Sequence, residues 1–145
     1  MADEPRTDDL LEQLKESASP EAYLRTAGLA EKSLSDYANE LLEARGLRKA
    51  DVARDSGLEQ TYCYQMLSGA RTKPSRDYVI KLAFGLHCDL TQAQRLLRRA
   101  GHSELWSKKA RDAVIIHCIQ HGRSRQQTDD ELYRLGFATL VSPEG

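Results

Sequence analysis

The sequence predicts an all-α fold. Apolar residues recur at helical spacing, capping residues and glycines stand where helices would begin and end, and no segment shows strand-like alternation over five or more residues. Hydrophobic residues make up 40% and charged residues 30% of the 145 residues, a balance typical of a folded globular protein. We therefore expect helices throughout, arranged as one ordinary domain with a small appendage.

Two short helices are predicted in the N-terminal segment, residues 1–34. Thr7 would cap a helix over residues 8–17, and Ser19, followed by proline, would open a second helix over residues 21–27. The segment carries eight acidic and four basic residues. It is expected to form an acidic helical extension in front of the main domain.

Five further helices are predicted between residues 35 and 105. This middle part is the basic part of the chain, with thirteen basic and nine acidic residues over residues 36–110, whereas the whole chain has a net charge of −1. Such a modest positive charge permits contact with a polyanion without requiring it. The predicted helices cover residues 36–45, capped by Ser35, and residues 49–55, 60–68, 76–86 and 90–100.

The C-terminal part of the chain contains an internal repeat. Residues 76–105 align without gaps on residues 111–140, and nine of the thirty pairs are identical, where chance would give about two. The pattern predicts a second helical hairpin over residues 106–145, stacked on the first, with the ring of Trp106 filling the seam. The alternative is that two generic amphipathic hairpins resemble each other. The identical pairs include Arg76/Arg111, Asp77/Asp112, Leu97/Leu132 and Leu105/Leu140, and Asp89-x-x-Gln92 and Ser124-x-x-Gln127 both have the capping-box form.

The stretch from Leu47 to Ser75 predicts two short helices that meet near a right angle. Such a pair needs a small residue where the helices touch and a glycine in the turn, and Ala53 and Gly57 stand at that spacing. Apolar residues at helical spacing are expected in the shared core, and the remaining residues on the outer face of the second helix. The expected core residues are Val52, Leu58, Cys63 and Met66, and the expected outer residues are Gln60, Thr61, Tyr64, Gln65 and Ser68.

Several motifs follow one another between Tyr37 and Leu86. They are Val52-Ala53, Ser56-Gly57-Leu58, Gly69-Ala70-Arg71, Pro74-Ser75 and the apolar helix Val79-Ile80-x-Leu82-Ala83-x-Gly85-Leu86. Together they resemble the XRE family, the Cro and lambda-repressor-like helix-turn-helix proteins. The resemblance implies a five-helix, lambda-repressor-like domain over residues 35–105 in a bacterial regulator of transcription. Its third helix would enter the major groove of double-stranded DNA, commonly as a homodimer on a palindrome.

The helices outside this domain look like those of a longer family of bacterial regulators, whose members are often encoded beside Ser/Thr kinases. That resemblance makes a Ser/Thr kinase a candidate protein partner.

The resemblance to the XRE family also assigns roles to individual residues. Cations beside the groove would contact phosphates, and side chains on the outer face of the third helix would contact bases. Glutamine can pair with adenine through two hydrogen bonds, and the threonine methyl can touch that of thymine. The residues assigned to phosphates are Lys49, Arg71 and Lys73, and those assigned to bases are Gln60, Thr61, Tyr64 and Gln65.

The sequence also departs from the family pattern. The usual serine caps before the two helices are replaced by Arg48 and Glu59, and the recognition helix contains no Lys or Arg. Glu59 would repel phosphates or accept a hydrogen bond from cytosine N4. Tyr62 and Tyr64 could read bases, although tyrosine is also enriched in protein–protein contacts. The alternative function is therefore a repurposed helix-turn-helix that binds a protein, possibly kinase-linked, as an adaptor without binding DNA.

Other functions find little support in the sequence. His117 and His121 are spaced to share a metal ion, yet no convincing third and fourth ligands accompany them, so no metal or cofactor is expected. No phosphate-binding loop or nucleophile motif is present, and we expect no enzyme activity. Three widely spaced cysteines without a CxxC pair and an acidic N-terminus predict a cytoplasmic protein. No apolar run is long enough to span a membrane.

Overall fold

The computed structural model describes residues 19–20 and 32–141, and within them it contains seven helices and no strand. The predicted all-α fold is confirmed. The helices predicted over residues 8–17 and 21–27 lie outside the described residues. The helices are α1 (Leu34–Ala44), α2 (Lys49–Ser56), α3 (Gln60–Ser68), α4 (Arg76–Gly85), α5 (Leu90–Arg99), α6 (Ala110–Gln120) and α7 (Arg125–Arg134).

Helix α1 begins two residues earlier than predicted. Ser33, rather than Ser35, is the N-cap, and its side chain accepts a hydrogen bond from the backbone N–H of Asp36. The earlier start brings Leu34 into the first turn, where it is buried. The predicted start was wrong because Ser33 and Ser35 carry the same capping side chain, and burial of Leu34 favours the earlier one.

Helices α2 and α4 cross at close range. A Cβ atom on Gly85 would lie 2.5 Å from the carbonyl oxygen of Val52 and 2.8 Å from Cβ of Ser56, so only glycine fits this crossing. Val52 and Ser56 are fully buried there. The crossing fixes the direction of α2, and therefore the position of the turn that leads into α3.

The two hairpins follow the 35-residue period of the sequence. Helix α5 and helix α7 each contain ten residues, and their bounds differ by 35 positions at both ends. Both predicted capping boxes are present, because the side chains of Gln92 and Gln127 accept from the backbone N–H of Asp89 and Ser124. Ile115, Leu132 and Leu140 of the second hairpin belong to the same hydrophobic cluster as the helix-turn-helix.

The expected role of Trp106 was wrong. Trp106 is 53% exposed, and Nζ of Lys108 lies 5.9 Å from the centroid of its ring. The seam between the hairpins is instead filled by Leu105 and by a buried Asp112, which accepts a hydrogen bond from the Trp106 backbone N–H. That bond holds the backbone of Trp106 against α6 and leaves the ring at the surface.

Candidate nucleic-acid interface

The turn between α2 and α3 is held by Ser56. Its buried hydroxyl donates to the carbonyl of Ala53 at 2.9 Å and accepts from the backbone N–H of Leu58 at 3.1 Å. Gly57 has a φ of +73°, a left-handed conformation that favours glycine. The side chains of Arg125 and Val141 also pack on Gly57, since a Cβ atom there would lie 2.6 Å from Arg125 Nε. The second hairpin therefore contacts the turn directly.

Helix α3 is fixed from its inner side. Val52, Leu58, Cys63 and Met66 are buried, as the sequence predicts, and Leu67 joins them. Asn39 of α1 donates a 2.7 Å hydrogen bond to the carbonyl of Leu67 at the end of α3. Burial raises the pKa of the Cys63 thiol to about 11, despite a hydrogen bond with Ser56, so this thiol remains protonated at neutral pH.

Two of the predicted base-contacting residues are joined on the outer face of α3. Nε2 of Gln60 donates to the hydroxyl of Tyr64 at 2.9 Å, across one helical turn. Gln60 is exposed and Tyr64 is half-buried. The bond leaves Gln60 Oε1 and the Tyr64 hydroxyl hydrogen available to a base edge. Thr61, also exposed, begins the same face of the helix.

A second group joins the end of α3 to the following loop. Nε of Arg71 donates to Oε1 of Gln65 at 2.8 Å, and the guanidinium lies 4.4 Å from the ring centroid of Tyr62. Tyr62 in turn packs edge-on against Tyr78, with ring centroids 4.6 Å apart. Arg71 is thus held by two neighbours while its two terminal nitrogens make no bond to any described residue. Tyr62, one of the two tyrosines that could read bases, thus packs between Arg71 and Tyr78.

The remaining predicted phosphate contacts are exposed but not joined to these groups. Lys49 begins α2, and Lys73 lies in the loop before α4. Sequence reasoning missed Arg48, the N-cap residue of α2, whose side chain is 83% exposed and paired with Asp51. Within the described residues no side chain caps the α2 N-terminus, so its free N–H groups and two cations suit a phosphate. The missing serine cap at Arg48 was the signal for this site.

Glu59 is the N-cap residue of α3, and its side chain is exposed and makes no capping bond. The recognition helix therefore presents uncapped backbone N–H groups next to a carboxylate. This carboxylate can accept a hydrogen bond but repels a phosphate at the same place.

The predicted histidine pair faces solvent. The rings of His117, in the last turn of α6, and His121, its C-cap residue, have centroids 4.1 Å apart, and both residues are exposed. Among the described residues, no three His, Cys, Asp or Glu side chains are grouped closely enough to hold a metal ion. In the same part of the chain, no helix is long and apolar enough to cross a membrane.

A pair of helices crossing at a glycine turn, with a polar outer face on the second, defines the helix-turn-helix class. A family model described as helix-turn-helix matches residues 39–92, which cover α2, α3, α4 and parts of α1 and α5. This segment is a helix-turn-helix domain of the XRE, Cro and lambda-repressor-like kind, so the predicted resemblance is confirmed. Domains of this class bind DNA and are typical of proteins that are not enzymes. Neither a curated protein nor a solved structure matches the chain.

Proposed function

We propose that the protein is a sequence-specific DNA-binding regulator of transcription that reads the major groove with the outer face of α3. One observation carries the proposal. The polar outer face of α3 carries the exposed Gln60 and Thr61 and the half-buried Gln65, and in chain order it lies between exposed cations on α2 and in the loop before α4. Base-reading groups with cations before and after them are what recognition of a duplex requires.

The proposed contacts with phosphates and the proposed contacts with bases have different roles. Lys49, Arg71 and Lys73 would bind phosphates and supply affinity that depends on salt. Gln60 and Gln65 would supply specificity through base edges, and each has one side-chain partner that restricts its orientation. We further propose a homodimer on a two-fold site, with half-sites about 34–36 Å apart, which is the usual arrangement for this class.

Salt-dependent binding to a duplex tests the phosphate contacts. Replacing Lys49, Arg71 or Lys73 with alanine should weaken binding to all sequences about equally and lower the salt slope by about one unit each. Lys108→Ala is the matched control, because Lys108 is an exposed lysine on the linker between the hairpins. The assignment fails if the triple variant has the slope of the wild type, or if Lys108→Ala lowers it equally.

The protein-binding alternative is favoured by one feature, the exposed carboxylate of Glu59 at the start of a recognition helix that has no Lys or Arg. If the domain is an adaptor, for a kinase or another protein, DNA binding should show no sequence preference, with Kd at about 10⁻⁴–10⁻⁶ M. Glu59→Gln separates the possibilities. It should tighten DNA binding broadly if Glu59 lies near phosphates, and weaken it at one base pair if Glu59 contacts cytosine.

A further inference from the structure

A cavity of about 240 Å³ lies beside the first turn of α3. Its walls come from the turn between α2 and α3, from α3 and α4, and from the segment after α7, so the cavity lies between α3 and the second hairpin. The apolar part of its walls is formed by Leu58, Tyr62, Tyr78, Leu140 and Val141, and the polar part includes Glu59 and Lys81. A space of this kind suits a small ligand with an apolar body.

One wall of the cavity is a buried lysine. Lys81 is 5% exposed, and its Nζ lies 4.1 Å from the ring centroid of Tyr78. The ammonium makes no hydrogen bond or ion pair with any residue that the structure describes. The carboxylates of Asp77 and Asp129, which act on it from a distance, are already bonded to Arg111 and Arg125. Within the described residues the ammonium therefore has the face of the Tyr78 ring beside it but no carboxylate at ion-pair distance, so an anion in the cavity would gain a charge-assisted contact.

The start of α3 adds a second attraction for an anion. The first turn of this nine-residue helix borders the cavity, and no described side chain caps its N-terminal N–H groups. The helix dipole makes this end positive. Glu59 also borders the cavity and opposes an anion, but its side chain is exposed, where solvent screens its charge. Burial lowers the pKa of Lys81, and an adjacent anion would raise it again.

We propose that this cavity binds a small organic anion, with its carboxylate or phosphate group beside Lys81 and its apolar body against Tyr62, Leu140 and Val141. Binding of the ligand does not depend on the proposed function. The effect of the ligand on DNA binding does depend on that function. Glu59 and Tyr62 line the cavity, and Tyr62 packs against Arg71 at the candidate interface. The ligand is then an effector that changes the affinity of the protein for DNA.

The binding step is tested without DNA by titrating the full chain and following its amide NMR spectrum. The probes are benzoate, phenyl phosphate and the neutral benzyl alcohol. At least one of the two anions should bind and shift the signals of Gly57, Leu58 and Leu140. Benzyl alcohol should bind at least about tenfold more weakly, the loss expected for one charge-assisted hydrogen bond. The relative affinities of benzoate and phenyl phosphate identify the anionic group.

Two variants locate the site. Lys81→Met removes the charge and should weaken anion binding by at least about tenfold. Val141→Phe should block the cavity without changing any charge. The matched control is Lys108→Met, at an exposed lysine that does not line the cavity, and it should bind as the wild type does. The proposal is overturned if neither anion saturates the protein up to about 10 mM. It is equally overturned if both Lys81→Met and Val141→Phe bind as the wild type does.

The regulatory step uses a duplex that the wild type binds. A saturating anion should change the DNA affinity of the wild type and leave that of Lys81→Met unchanged. An equal change in both proteins would show that the anion acts elsewhere. The titration without DNA tests anion binding by itself. A protein whose cavity binds no anion is therefore distinguished from a protein that binds no DNA.

Discussion

Arg76 of the first hairpin and Asp112 of the second form a bidentate ion pair, with nitrogen–oxygen distances of 3.0 and 2.9 Å. The equivalent residues form the same pair in the opposite direction, from Arg111 to Asp77, at 3.0 Å in both bonds. Such an exchange is the contact pattern of a two-fold interface between identical surfaces. Here the interface lies within one chain, and the two hairpins act as the two copies.

We predict that this seam contributes strongly to stability. The Asp112 side chain is 5% and the Arg76 side chain 25% exposed, so Asp112→Asn leaves a largely buried arginine without its countercharge. The variant should lower the free energy of unfolding by about 3 kcal/mol, measured by urea denaturation at pH 7. Glu131→Gln is the control, because its pair with Arg134 is exposed and should contribute less than about 1 kcal/mol. Equal effects of the two substitutions would contradict a structural role for the exchange.

The same pair predicts a pH dependence. Burial acts to raise the pKa of Asp112, but hydrogen bonds from Arg76 and from the Trp106 backbone outweigh it, and the pKa is lowered. The charged form of Asp112 therefore stabilises the fold above the pKa of an unfolded aspartate, about 3.9, and this contribution is lost as the pH falls through the folded pKa. The stability difference between wild type and Asp112→Asn should be constant from pH 5 to 7 and shrink below about pH 4. A difference that already shrinks above pH 5 would mean that burial prevails and the pKa is raised.

Tyr62 is predicted to act on DNA through Arg71. Tyr62→Phe keeps the ring below the guanidinium and should leave DNA affinity unchanged, whereas Tyr62→Ala should weaken it by about threefold to fivefold, the value of an exposed cation–π contact. Fluorescence anisotropy with a labelled duplex measures both. The loss should disappear when Arg71 is already alanine, because coupled residues are not additive. An equal loss of affinity in the presence and absence of Arg71 would show that Tyr62 does not act on DNA through Arg71.

Much of the fold followed from local signals. The capping boxes at Asp89 and Ser124, the bounds of α3 and the burial of Cys63 and Met66 were all predicted, because short-range geometry decides them. The repeat was visible in the sequence as identical residues, but the contacts between its two copies were not. Arg76 and Asp77 are neighbours in sequence, and only the docking of the second hairpin shows that each pairs with the other copy.

The candidate site was predicted less completely, since its contacts span distant parts of the chain. Helical spacing placed Gln60 and Gln65 correctly on the outer face, but it could not show that Arg71 would bond to Gln65 from the next loop. Lys81 was not singled out, because a lysine on a helix is usually solvated. Its burial depends on residues such as Leu140 and Val141, about sixty positions further along the chain.

Selection of binding sites from a pool of random duplexes tests the central claim most directly. The wild type should enrich one motif and bind it at least about a thousandfold more tightly than unrelated DNA. Gln60→Ala and Gln65→Ala should relax the preference at particular base pairs while leaving nonspecific binding nearly unchanged, because base contacts specify and phosphate contacts position. Absence of an enriched motif, or an identical motif for the wild type and the Gln60→Ala/Gln65→Ala double variant, would contradict sequence reading by α3.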